Sequence, residues 1–166
     1  MTDTIAEAPP LRLERDNPGL GAWRTFLGAH AAIMRLLEAD LDADGFISLA
    51  DFDVLIQLAT APGGKLRMSE LADQVLLSRS GMTRRIDRLE VAGLVRRTEC
   101  SADRRGSYAA ITDAGLERLR AAHPTHVRGI EDHFISKLSA RDLASIEAAL
   151  GKLVPPPDAN RDPSNC

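Results

Sequence analysis

Apolar positions recur every three or four residues along most of the chain, the pattern of helices that each bury one face. Between Leu20 and Leu41 the residues Trp23, Phe26, Leu27, Ala31, Met34, Leu37 and Leu41 keep this spacing and predict one long amphipathic helix. The stretch DADGF breaks the pattern, and Ser48 is placed to cap a second helix that turns Leu49, Phe52, Leu55, Ile56 and Ala59 inward. APGG at 61–64 ends that helix, and a short extended piece, KLRM, follows. Ser69 then reads as the N-cap of a short third helix, SELADQV, with Leu71, Ala72 and Val75 inward and a tight turn over Leu76, Leu77 and Ser78.

The next segment, SRSGMTRRIDRLEVAG, puts Met82, Ile86 and Leu89 on one stripe, leaves arginine, serine and threonine on the opposite face, and stops at Gly93. LVRRTEC and SYAAIT read as two strands joined by the polar tip SADRRG. Thr112 with Asp113 begins another helix, in which Pro124 is expected to force a kink or a break near His123. Ser139 and Asp142 start the last helix, with Leu143, Ile146, Ala149, Leu150 and Leu153 on its apolar side. Residues 1–18 and 154–166, rich in proline and without periodicity, read as disordered tails. The predicted fold is mainly α with a small β-wing, a winged helix-turn-helix module over 48–111 carried on helical segments at 19–47 and 112–153.

Composition narrows the class without changing this picture. A chain of 166 residues with 44% hydrophobic and 27% charged residues has room for one ordinary core. No run approaches the roughly 20 apolar residues that span a bilayer, and the N-terminus lacks the order of a secretory signal, so a cytoplasmic protein without membrane partners is expected. The two cysteines, Cys100 and Cys166, supply no disulfide framework or C-x-x-C pair.

Charge is more informative by location than in total. The net charge is −3, yet Lys65 to Arg105 holds ten basic and six acidic residues and is +4, which leaves −7 on the remainder. A basic module on an acidic body attracts duplex DNA through the module and repels it elsewhere, which orients the molecule as it binds.

Helix, tight turn, helix and a hairpin with a charged tip is the order of a winged helix-turn-helix, whose second helix enters the major groove. Arg79, Ser80, Thr83 and Arg84 lie in the first two turns of that helix, where base edges are read. Arg85, Arg88 and Arg96 are placed further round or further along, for phosphates, and Ser69 opens the preceding helix. An arginine-rich helix face is more often merely solvated. Here a short capped helix before it, an apolar stripe opposite it and a hairpin after it argue together for nucleic acid.

The segments MSELADQVLLSRSGMTRRIDRLEVAGLVRR and DRRGSYAAITDAG resemble the MarR family of transcriptional regulators, over about residues 20–153. The resemblance implies a homodimer on a pseudo-palindromic operator, joined by the first helix and the last two. It also implies a wing in which Arg105, oriented by Asp103 and flanked by Arg104, enters the minor groove. A narrow minor groove concentrates negative potential, which suits a planar guanidinium. Repression relieved by a small aromatic ligand is a further implication of the resemblance. Trp23, Phe26, His30 and Met34 share one helix stripe and are candidates to line such a pocket, although a stripe of this kind is ordinarily core.

Four other readings compete. DLDADGFISLAD, residues 40–51, matches a calcium loop at Asp40, Asp42, Asp44, Gly45, Ile47 and Asp51, but it ends in Asp where bidentate Glu is usual and has no second copy. Cys100 beside Arg97 and Arg104 is a candidate redox thiol, opposed by Glu99, with an inert thiol the ordinary alternative. His126 and His133 are seven residues apart without a third ligand, and no nucleophile with its base or phosphate-cradling loop is present, so neither an enzyme nor a cofactor is expected. A DNA-binding structural module without an inducer is the remaining alternative.

Overall fold

The computed structural model of the chain describes residues 18–75, 78–99 and 107–153. Along these the chain runs α1 (Pro18–Ala43), α2 (Leu49–Thr60), β1 (Lys65–Arg67), α3 (Met68–Gln74), α4 (Arg79–Val91), β2 (Val95–Glu99), β3 (Ser107–Ile111), α5 (Asp113–His133) and α6 (Ala140–Leu150). The helices start where a short hydroxyl side chain can satisfy an orphan backbone donor. Ser48 Oγ accepts from the Asp51 N–H at 3.2 Å, Ser78 Oγ from Gly81 at 3.1 Å, Thr112 Oγ1 from Gly115 at 3.0 Å and Ser139 Oγ from Asp142 at 3.2 Å. The Leu49 N–H is covered from α1, by the Glu38 carboxylate at 2.8 Å.

One core runs through the winged module and into the adjoining helices. Phe52, Leu55 and Leu58 of α2, Leu71 of α3, Met82, Ile86 and Leu89 of α4 and Val95 and Ala109 of the sheet are buried together with Leu37 and Leu41 of α1 and Leu119 and Ala122 of α5. Burial of each large side chain contributes about 1.5–3 kcal/mol, so this cluster dominates the stability of the lobe. The first turn of α5 sits directly on the backbone after α4. A Cβ at Gly115 would lie 2.1 Å from the Leu94 carbonyl oxygen, and Thr112 donates to the Gly93 carbonyl at 2.7 Å. Gly93 itself, with φ of 73°, makes the left-handed turn out of α4.

Two expectations need correction, and a third, the extended piece before α3, gains a partner. The helix assigned to a Ser69 cap begins at Met68, with Arg67 in the cap position and Ser69 inside the first turn; the Glu70 carboxylate accepts from the Arg67 N–H at 3.4 Å. The extended KLRM piece is a third strand, giving a sheet of order β1-β3-β2 in which Lys65, Leu66 and Arg67 face Ala110, Ala109 and Tyr108. The break expected near His123 is absent, since α5 continues through Pro124. Arg120 and Pro124 both lie on the exposed side, so the carbonyl that loses its donor there faces water and the interruption costs little.

Candidate nucleic-acid interface

The site is organised by α4. Its buried stripe of Met82, Ile86 and Leu89 fixes the helix on the core and thereby turns Ser80, Thr83, Arg84, Asp87 and Arg88 outward. Ser80, Thr83 and Arg84 are exposed in the first two turns, and Arg79 opens the helix. Ser69 is exposed in the first turn of α3, and Arg96 is exposed on β2. None of the ion pairs among the described residues involves Arg84, Arg88 or Arg96.

Both acidic residues of α4 are paired with one arginine of the sheet. Arg97 of β2 bonds Asp87 at 2.6 Å and Glu90 at 2.5 Å, and its own N–H donates to Glu90 at 3.0 Å. The Asp87 carboxylate first, then Glu90, holds the Arg97 guanidinium above its usual range, so this cation is committed to clamping the sheet on α4.

Arg85 corrects another expectation. Placed for phosphates by sequence, its guanidinium turns back to α2 and bonds the Asp51 carboxylate at 2.6 Å, with 18% and 23% of the two side chains exposed. The reason is position: Arg85 lies three residues after the buried Met82 and four before the buried Leu89, on the flank of α4 that faces the core, where Asp51 in the first turn of α2 meets it. Asp53, on the same helix, lies close enough to feel that charge, and burial pushes its carboxyl up.

The calcium-loop reading is also corrected. Asp40 and Asp42 belong to α1, which continues to Ala43, so no twelve-residue loop exists. The carboxylates point to separate partners: Asp40 to His133 at 2.8 Å, Asp44 to Thr125 at 2.6 Å and Arg128 at 3.0 Å, and Asp51 to Arg85. Calcium ligands must instead converge to 2.3–2.6 Å from one point. Among the described residues no three His, Cys, Asp or Glu side chains are placed to hold a metal.

Trp23, Phe26 and His30 do share a stripe, with ring centroids 5.9 Å and 6.4 Å apart in succession, but all three are exposed and only Met34 is half-buried. An open cavity of about 580 Å³ lies elsewhere, between α2, α4 and α5, lined by Ile47, Asp51, Arg88, Leu94 and Arg118. Sequence spacing missed this cavity because its residues come from three distant segments and carry no local motif. Asp103, Arg104, Arg105 and Cys100 lie outside the described residues.

An outward helix N-terminal half, cleared of negative charge and followed by an antiparallel sheet, defines a winged helix-turn-helix DNA-binding protein. A model described as MarR family matches residues 47–106. The chain is 38% identical to AbsC, a MarR family transcriptional regulator from Streptomyces coelicolor, with a TM-score of 0.75 over 81% of this chain and 90% of that one. With Sco3205, a MarR family regulator of the same organism solved in complex with DNA, it shares 32% identity and a TM-score of 0.72, over 82% and 92% of the two chains. It is 30% identical over 132 residues to the transcriptional regulator PecS of Dickeya dadantii, covering 76% of this chain and 78% of that protein. The chain therefore belongs to the MarR family of DNA-binding transcriptional regulators. No helix among the described residues is long and apolar enough to cross a membrane.

Proposed function

We propose that the chain acts in the cytoplasm as a homodimeric repressor that occupies an inverted-repeat operator until a small aromatic acid releases it. The observation that carries this reading is the coexistence of two open surfaces: the cation-bearing face of α4, and an apolar face on α1 that the described residues leave uncovered at Trp23, Phe26 and Leu27. Two such chains joined through residues 19–47 and 112–153 would present two modules, each spanning 48–111, to half-sites one helical turn, about 34–36 Å, apart.

In this reading Arg79, Ser80, Thr83 and Arg84 read base edges, Ser69, Arg88 and Arg96 hold phosphates, and Arg105 with Arg104 and Asp103 serves the minor groove. Arg85 is reassigned to the Asp51 clamp, where it couples the angle of α4 to α2. Ligand control is supported by the cavity beside that clamp, which offers Arg118 to a carboxylate and Ile47 and Leu94 to a ring. A ligand there touches both α4 and α5, so it can change lobe spacing only by preferring one arrangement over the other. The exposed stripe of Trp23, Phe26 and His30, with Met34, becomes a second candidate wall only if a partner subunit encloses it.

Selection of bound duplexes from a random pool at about 0.15 M salt tests the reading. Enrichment of an inverted repeat with half-sites about 10 base pairs apart is expected. Arg84→Ala should then relax the preference at one position per half-site, by about 1–3 kcal/mol of discrimination. Uniform weakening on every sequence would make Arg84 a phosphate contact, and no enrichment at all would remove operator reading.

A further inference from the structure

The first turn of α2 is held from two sides by side chains of other helices. Leu49 opens α2, so its N–H has no partner within the helix, and the Glu38 carboxylate of α1 accepts from it at 2.8 Å. Leu49 is 5% exposed, which leaves water little access to that donor. Two residues further on, the Asp51 carboxylate accepts from the Arg85 guanidinium of α4 at 2.6 Å, while the Asp51 N–H is held by Ser48. Asp53 reports the same convergence: burial raises its carboxyl pKa, the Arg85 charge lowers it and the Glu38 charge raises it again, so both side chains act on this turn.

Stability alone does not account for the pair of Arg85 and Asp51. Their side chains are only 18% and 23% exposed, and the Arg85 Nε is buried without a hydrogen-bond partner among the described residues. Both charges have lost much of their hydration, and a pair of this kind gains little over apolar residues of similar size. What it supplies is direction. The contacts of Met82, Ile86 and Leu89 hold α4 on the core without fixing its rotation closely, because apolar burial is non-directional, whereas a charged hydrogen bond to α2 is satisfied over a narrow range of positions. Arg84 precedes Arg85 on the same helix and turns with it.

We propose that Glu38 and Arg85 are positioning residues for operator reading, and that the first turn of α2 is the link through which the orientation of α1 in the dimer sets the orientation of α4 in the major groove. Neither side chain has to touch DNA for this. The link fixes base reading and leaves phosphate binding largely alone, since phosphates are alike at every step of the duplex and tolerate a small rotation of the helix. The inference rests on the dimeric operator-reading function proposed above.

A double-mutant cycle tests it, because only non-additivity demonstrates that two distant side chains act through one element. The quantity read is the affinity of the full chain for the inverted repeat enriched from the random pool, divided by its affinity for a random-sequence duplex. Glu38→Ala and Arg85→Met should each lower this ratio by about 2- to 30-fold, nearly all of it through the inverted repeat. Together they should lower it by less than the product of the two losses. Glu38→Gln keeps an oxygen that accepts from Leu49 and should behave as the original. Arg85→Met combined with Asp51→Leu removes both charges, so it should melt at or above the original temperature and still lose the preference, which separates orientation from folding. An unchanged ratio in either single variant or in the combined one, with Arg84→Ala still relaxing sequence preference, would overturn the link and leave the recognition helix standing. Equal weakening on both duplexes would make these side chains merely structural, and losses that multiply would overturn their connection through α2. Absence of any preference in the unaltered chain would overturn operator reading, and the link with it.

Discussion

Helices α4 and α1 are both amphipathic, yet the chain treats their apolar faces in opposite ways. On α4, Met82 and Ile86 are wholly buried; on the N-terminal half of α1, Trp23, Phe26 and Leu27 are 54%, 41% and 44% exposed. Helix α6 resembles the second case, since it buries none of its residues. The winged lobe is closed by contacts within one chain, so its stability is a property of that chain. The terminal helices are left incomplete, and a second copy with the same stripe can cover them symmetrically. Substitutions in the two regions should therefore have effects of different kinds.

The largest effect is expected in the lobe. Met82→Ala deletes a fully buried side chain beneath the recognition helix, at a cost of about 2–5 kcal/mol. For a chain of this length that lowers the melting temperature by about 4–20 °C. Calorimetry or thermal circular dichroism measures it, and a shift under about 2 °C would mean that the α4 stripe is not core.

The counterpart on α1 should leave folding of the lobe nearly intact and abolish association. Phe26→Asp places a charge in the middle of the open stripe, where a symmetric dimer would bury it twice. Sedimentation at micromolar concentration should show a monomer, with operator affinity lower by about 100-fold or more because two linked half-site contacts become one. A dimer of undiminished affinity would move the interface away from this stripe, and a loss of melting temperature equal to that of Met82→Ala would erase the distinction between the two regions.

The same contrast explains what was legible in the sequence. Helix periodicity and hydroxyl caps are local signals, and Met82, Ile86 and Leu89, with Ser48, Thr112 and Ser139, mark the lobe and its helices where the structure has them, whereas Ser78, read as part of a turn, also caps α4. Signals that depend on a distant partner were not readable. KLR becomes a strand only because β3 offers it an edge, and Arg85 leaves the DNA face only because Asp51, 34 residues earlier, stands behind it. Alternate carboxylates at 40–44 imitate a calcium loop, but α1 continues past Asp40 and Asp42 to Ala43, and α5 supplies His133 to Asp40 and Thr125 and Arg128 to Asp44. Pro124 misled for a related reason: a missing donor disrupts a helix most when its orphaned carbonyl is buried, and exposure is a tertiary fact.

The smallest expected effect lies where the two regions meet. His126 of α5 packs its ring on Phe52 of α2, with centroids 4.3 Å apart, and its Nδ1 is buried without a hydrogen-bond partner among the described residues. Burial, followed by the charge of neighbouring His123, holds its pKa below the ordinary 6.5. The unfolded chain therefore takes up a proton at His126 as pH falls through about 6.5 while the folded chain resists it, so stability falls across that window and levels off below the folded pKa. Asp44 does not overlap with this. Its hydrogen bond from Thr125, and then Arg128, lower its pKa, so its contribution is present above the ordinary 3.8 and is lost only in stronger acid. Replacing His126 with Phe keeps a ring against Phe52 and removes the titration. Melting curves between about pH 7.5 and about pH 5.5 should then show a shallower decline for His126→Phe than for the original chain. Because the ring sits between α2 of the lobe and α5, acid should loosen that joint before it affects the α4 stripe, and hydrogen exchange should report faster opening around Phe52 than around Ile86. Identical pH profiles for the two proteins would place the acid sensitivity in another group and leave the joint indifferent to protons.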